Sequence, residues 1–325
     1  MTWKPYYRGD GEQRETALAD PPPWRTFPRK PQHREYRPPP GLVDAVNAAL
    51  HLRRPLLVSG PAGSGKSSVI EQVAHELKLD TVLRWHITSR SSLAEALYRY
   101  DALGRIHAQS LRSAMPQGAV GRAGRPGRPG RGRSRDEIGP FLQLGPLGTA
   151  LIPSEQPRAL LIDEIDKSDL DLPSDLLEVL ERGEFVIPEL VRYRKPRVAV
   201  RLWDSDDKEH IVENGRVQCT QFPFILLTSN GERDFSPAFL RRCIRYAMPP
   251  LTADLLHNIV EAHFDATPEG SDELVRLFAE RVGAGEHLAI DQLLNAVALL
   301  LGEQALGGAQ YEELRELVLR ELSRA

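Results

Sequence analysis

Cysteine is nearly absent: Cys219 and Cys243 are the two in 325 residues, far apart and in no CxxC arrangement. That excludes a disulfide framework and a cysteine-built zinc site, and it fits a reducing compartment. The nine histidines form no HxxxH or similar cluster, so a histidine metal site is not expected either. No apolar run approaches the ~18 residues of a membrane span. The opening MTWKPYYRGD lacks the apolar region of a signal peptide. The expectation is a cytoplasmic protein. Excess positive charge is missing as well, the formal net charge being −3. Six arginines crowd into residues 122–135; with those six charges set aside, the rest of the chain carries −9. A general nucleic-acid-binding surface is thereby excluded, and only a local one is left.

What is present is a chain that is 41% hydrophobic, enough for a sizeable core. Residues 1–40 hold nine prolines and read as an extended arm. Trp3, Tyr6, Tyr7, Trp24 and Phe27 interrupt it, which favours an arm pinned to the body or to a neighbouring subunit over a loose tail. From residue 41 helix and strand alternate. LVDAVNAALHL has a helical pattern, RPLLVS reads as a buried strand, and TVLRWHIT, RALLID, FPFILLTSN and CIRYAM supply further strands. Strands separated by helices predict a parallel α/β sheet with helices on both faces over residues 41–249. After Pro249 and Pro250 the pattern becomes purely helical. Apolar faces recur at Leu274, Leu277, Phe278 and Val282, at Leu293, Leu294, Val297, Leu300 and Leu301, and at Leu314, Leu317, Val318 and Leu322. Residues 250–325 are therefore expected to form a small helical domain.

The chemistry is concentrated in a few stretches. GPAGSGKS, from Gly60 to Ser67, matches G-x-x-x-x-G-K-[ST] between an apolar strand and a helix, the context that a phosphate-binding loop requires. The competing reading is a Gly-rich turn that happens to contain lysine. Backbone N–H groups of Gly60, Pro61's neighbour Ala62, Gly63, Ser64 and Gly65 are suited to phosphate, with Ser67 and Ser68 at the helix start adding its positive dipole end. Pro61 contributes shape only. Lys66 reaches the terminal phosphates of ATP in this reading, and Ser67 ligates Mg²⁺. RALLIDEIDKSD ends a buried strand on Asp163, which suits a Mg²⁺ ligand, and Glu164, which suits the base that polarises water. FILLTSN ends on Asn230, suited to orienting that water; Asn230-Gly231 is equally a turn signal. Arg241 and Arg242 follow a short helix, where an arginine is suited to a neighbouring subunit's nucleotide; the alternative is a solvated basic pair.

In this order these elements resemble an AAA+ ATPase over residues from about 41 to 325. LLIDEIDKSDLDLPSDLLEVLERGEFVIPEL and TSNGERDFSPAFLRRC are similar to the corresponding stretches of the MoxR-like branch. The resemblance implies a helix leading into a short hairpin after the acidic motif, and it puts Arg242 at the arginine-finger position, with Arg241 where the family has Asp and Cys243 where it has Phe. At the sensor-two position of the helical lid, the family's arginine is replaced by a residue at or near Leu288. The resemblance further implies a homo-oligomeric, hexameric ring that remodels or activates a protein client, often one with a von Willebrand A domain.

Two insertions depart from that pattern. YRKPRVAVRLWDSDDKEHIVENGRV makes an enlarged hairpin, over about 190–218. The Gly/Arg-rich stretch, about 113–137, lies between the second and third strands and has neither helix nor strand character. It is open to three readings: a disordered loop, contact with an acidic protein, or phosphate-backbone contact, the last weakened by the lack of an aromatic to stack a base. Two functional rivals remain beside the remodelling ATPase. One is a nucleotide-gated signalling or scaffold module, against which Glu164 argues, since a switch needs no base. The other is a nucleic-acid-stimulated motor, supported by the arginine run alone.

Overall fold

A computed structural model describes residues 12–13, 21–22, 25–26, 38–114, 137–203, 208–264, 271–284, 288 and 290–301. Most of the proline-rich arm, the arginine-rich stretch 121–136 and the face carrying Leu314 to Leu322 lie outside the described residues.

The expected alternation is present. Helix α1 (Leu42–Leu52) precedes strand β1 (Leu56–Ser59), and helix α2 (Ser68–Glu76) leads to β2 (Leu83–His86). Next come α3 (Leu93–Leu97), β3 (Tyr98–Tyr100), α4 (Ala102–Ala114), β4 (Leu142–Leu144), α5 (Pro146–Ala150) and β5 (Ala159–Asp163). Helix α6 (Leu172–Arg182) is followed by β6 (Glu184–Val186), α7 (Pro188–Val191), β7 (Arg197–Arg201), β8 (Glu209–Glu213) and β9 (Arg216–Gln218). The chain continues through β10 (Phe224–Ser229), α8 (Pro237–Leu240), β11 (Ile244–Ala247), α9 (Ala253–Phe264), α10 (Ser271–Gly283) and α11 (Ile290–Leu301).

Five strands make one sheet in the order β11-β1-β10-β5-β2. Strand β5 pairs in parallel with β10 on one side, Leu161 opposite Leu226, and with β2 on the other, Ile162 opposite Trp85. Central strands of a parallel sheet are covered on both faces, so they read as continuous apolar runs. Accordingly all six residues of β10 and the first four of β5 are buried. Each fully buried leucine, isoleucine or valine there is worth about 1.5–3 kcal/mol of transfer from water. The fold is a P-loop-type α/β sheet with flanking helices and a helical C-terminal region.

By contact the chain divides into two units, Met1–Asp44 with Val58–His75 and Tyr246–Ala325, and Ala45–Leu57 with Glu76–Arg245. In the first, helices α9, α10 and α11 bury Leu256, Val260, Leu274, Val275, Phe278, Leu293 and Val297 in one apolar cluster. Leu288 joins that cluster. In the second unit a larger cluster runs from Leu57 to Cys243. Among the described residues no helix is long and apolar enough to cross a membrane.

The second unit also holds a six-stranded sheet, in the order β3-β4-β7-β8-β9-β6, which differs from the expected isolated hairpin. Strands β7 and β8 do pair as an antiparallel hairpin, Val200 opposite His210. After α6, β6 pairs antiparallel with the distant β9, Phe185 opposite Val217, where the resemblance implied a short local hairpin. Strands β3 and β4, which add to its other edge, are three residues each. That is too short for a period-two pattern to stand out in the sequence.

Candidate active site

The loop between β1 and α2 is shaped by its own glycines and lysine. Gly63 and Gly65 have φ of 75° and 80°, a region where a side chain is strained and glycine is not. The Lys66 ammonium donates to the carbonyls of Gly60 at 2.8 Å and Pro61 at 2.7 Å, and the residue is only 7% exposed. The Ser64 hydroxyl donates to the same Pro61 carbonyl at 2.8 Å. Three contacts with Gly60 and Pro61 thus curl the loop on itself, leaving Ala62 and Gly63 exposed at its crest. Ser67 is half-buried and Ser68 opens α2, so both stand at the positive end of a nine-residue helix. This is the geometry of an anion cradle.

The carboxylates occupy the end of β5. Glu164 takes a left-handed conformation, φ 59° and ψ 48°. For a residue with a side chain this costs about 1–3 kcal/mol, and such strain gathers at functional turns. Thr228 of β10 helps hold the turn: its hydroxyl accepts from the Glu164 N–H at 2.9 Å and donates to Asp163 Oδ1 at 2.6 Å. The Asn230 amide donates to Glu164 Oε1 at 3.2 Å. Lys167 donates to Glu164 Oε2 at 2.8 Å, and that bond raises the lysine pKa. His86, at the end of β2, lies 3.6 Å from Glu164 Oε2 and 3.9 Å from Asp163 Oδ2. The structure therefore brings Asp163, Glu164 and Asn230 together, and it adds Thr228, Lys167 and His86, which the motif reading missed. Thr228 and Ser229 carried the available signal, two hydroxyls at the end of an otherwise apolar run.

Arg242 lies apart from this group. It follows α8, pairs through Nε with Glu181 of α6, and donates from Nη1 to the Ala238 carbonyl at 3.2 Å. The neighbouring Arg241 is exposed, and its carbonyl accepts from Arg54 at 3.4 Å. Cys243 is buried, and burial pushes its thiol up to about 12, so it stays neutral and unreactive.

Residues 41–187, which hold both the cradle and the carboxylate pair, match the family model of the AAA ATPase domain. No curated protein matches the chain. Among solved structures, NtrX from Brucella abortus in complex with ATP is similar at a TM-score of 0.45 and 12% identity, over 90% of this chain and 61% of that one. NtrX from the same organism in complex with ADP is similar at a TM-score of 0.41 and 10% identity, over 84% of this chain and 52% of that one. This chain thus spans less than two thirds of either.

The AAA ATPase domain model that residues 41–187 match implies Mg²⁺, and the donors present are of the right class. Ser67 and Asp163 offer oxygen, which hard cations take. Among the described residues no group of three or more His, Cys, Asp or Glu side chains is placed to hold a metal ion.

Proposed function

We propose that the chain is a Mg²⁺-dependent ATP hydrolase of the MoxR-like AAA+ type, which works in the cytoplasm as a hexameric ring to remodel or activate a protein partner. Lys66 and the loop N–H groups bind the phosphates, and Ser67 and Asp163 hold the metal. Bound Mg²⁺ supplies positive charge against the phosphate oxygens. Glu164 accepts a proton from the attacking water, Asn230 orients that water, and Arg242 serves the nucleotide of the adjacent subunit. The observation that carries the hydrolytic reading is the 3.2 Å bond from the Asn230 amide to Glu164 Oε1, on a residue held in a strained turn. A binding module has no use for a carboxylate aimed in this way. The ring and its client, of which a von Willebrand A domain protein is one kind, are supported by the resemblance of LLIDEIDKSDLDLPSDLLEVL and SPAFLRRC to the MoxR-like branch.

The test compares two variants. Glu164→Gln should keep ATP affinity and lose turnover by about 10²–10⁴-fold, the usual worth of a general base. Lys66→Ala should lose both. Hydrolysis by Glu164→Gln at a near wild-type rate would sink the assignment. The ATP-locked Glu164→Gln protein is also the bait for isolating the client.

A further inference from the structure

Asp166 has no role in the scheme above, yet it is among the few buried charged residues, 5% exposed. It lies in the short 3-10 turn Ile165–Lys167, directly after Glu164 and Ile165. Its Oδ2 accepts two backbone bonds from the turn that follows β10, from the Asn230 N–H at 2.9 Å and the Glu232 N–H at 3.1 Å. Its Oδ1 is buried without a hydrogen-bond partner. A second tie lies further from the carboxylates: Arg233 donates to the Ser168 carbonyl at 2.7 Å, the Ser168 hydroxyl at 3.2 Å and the Asp169 carbonyl at 3.1 Å. The turn after β5 and the turn after β10 are therefore laced together twice, and Asp166 is the lace that grips Asn230 itself.

Burying a carboxylate with one oxygen unpaired is costly. A bond made only for stability is better made by a neutral group. What the arrangement does set is distance. The Asn230 side chain reaches Glu164 at 3.2 Å, the long end of a good hydrogen bond, so a shift of a few tenths of an ångström in the Asn230 backbone breaks it.

We infer that Asp166 is a positioning residue for ATP hydrolysis: by clamping the Asn230 and Glu232 N–H groups, it holds the Asn230 amide against Glu164. This rests on the reading of Glu164 and Asn230 given above. Asp166 acts through Asn230, whose backbone N–H it accepts from. The juxtaposition comes from the tertiary fold, since 64 residues separate Asp166 from Asn230.

Steady-state turnover and ATP affinity of single and double variants test it. Asp166→Ala should lower kcat by about 10²-fold, the scale of a small misplacement, with ATP Kd essentially unchanged. Asp166→Asn should keep most of the wild-type kcat, because its amide oxygen accepts the same two N–H groups. In an Asn230→Ala background, Asp166→Ala should lower kcat no further, whereas a merely structural role multiplies the two losses. If Asp166→Ala does not fold, Asp166→Ser, too short to span both N–H groups, replaces it with the same expected fall. A near wild-type kcat in Asp166→Ala or Asp166→Ser, a multiplied loss in the double variant, or an Asp166→Asn protein that binds ATP yet is as slow as Asn230→Ala overturns the inference. Glu164→Gln run alongside separates the two levels. If it hydrolyses ATP normally, the underlying reading has failed; if it and Asn230→Ala are slow while Asp166→Ala is fast, only this inference has.

Discussion

The two sheets of this protein are built on opposite principles. The strands of the five-stranded sheet are four to six residues long, and its central strands, β5 and β10, are continuous apolar runs paired in parallel. Their carboxyl ends present Asp163, Glu164 and Asn230. The six-stranded sheet draws its strands from residues 98–100, 142–144, 184–186 and 197–218. Its pairings are mostly antiparallel, and β7 alternates buried and exposed residues as one-sided sheets do. Chemistry clusters where strands are buried on both faces and end together. The other sheet contributes a surface and part of the core.

That division of labour is open to attack, most sharply through Arg242, which follows α8. If the first sheet's site is completed by a neighbouring subunit, Arg242→Ala should bind ATP normally and lose about 10³–10⁵-fold in turnover. Mixing it with Lys66→Ala should then regain activity, because some intact loops face an intact arginine. The same assay with Arg241→Ala ranks the two arginines. No recovery in rings that demonstrably mix makes the first sheet's site self-contained.

The next test falls on the second sheet. Leu144 in β4 is fully buried. Leu144→Ala should cost about 2–5 kcal/mol of stability by leaving a cavity, read from urea unfolding, while the folded fraction turns over ATP at the wild-type rate. A matching loss of kcat shows that the second sheet also shapes the site.

The smallest effect concerns His210, on β8 of that sheet. Burial, with the Arg158 charge beside it, holds its pKa below the ordinary 6.5. The folded state therefore prefers the neutral ring. This contribution is present above pH 6.5 and is lost as pH falls through and below that value. The urea midpoint should drop more between pH 8 and pH 5 in the wild type than in His210→Gln, with ATP affinity at neutral pH unmoved. Equal drops would assign the acid sensitivity elsewhere.

Legibility followed the same line as architecture. The central strands of the first sheet were readable because an apolar run ending in a polar residue is a local signal. The phosphate loop was readable because glycine and lysine spacing is dictated by backbone shape within eight residues. Glu164 was readable as a strand-end carboxylate, but its left-handed backbone and its contacts with Lys167 and His86 were not. Thr228 was hidden because a single threonine near the end of a strand reads as strand propensity. Strands β3 and β4 were hidden by their length, and the β6–β9 pair by the 29 residues, 187–215, and the hairpin between its members.

By itself the sequence determined the order of helices and strands in the first sheet, the phosphate loop, and the presence of an acidic pair at a strand end. These depend on neighbours along the chain, through strand burial, helix initiation and glycine's freedom at φ 75° and 80°. Tertiary structure alone decided which distant groups meet: the Thr228 hydroxyl between Asp163 and the Glu164 N–H, Asp166 on the backbone of Asn230, and six short strands gathered into one sheet. A hydrogen bond acts over about 3 Å whatever the separation in sequence, so the meeting of residues 64 or 65 apart is settled by parallel β5 and β10 ending side by side.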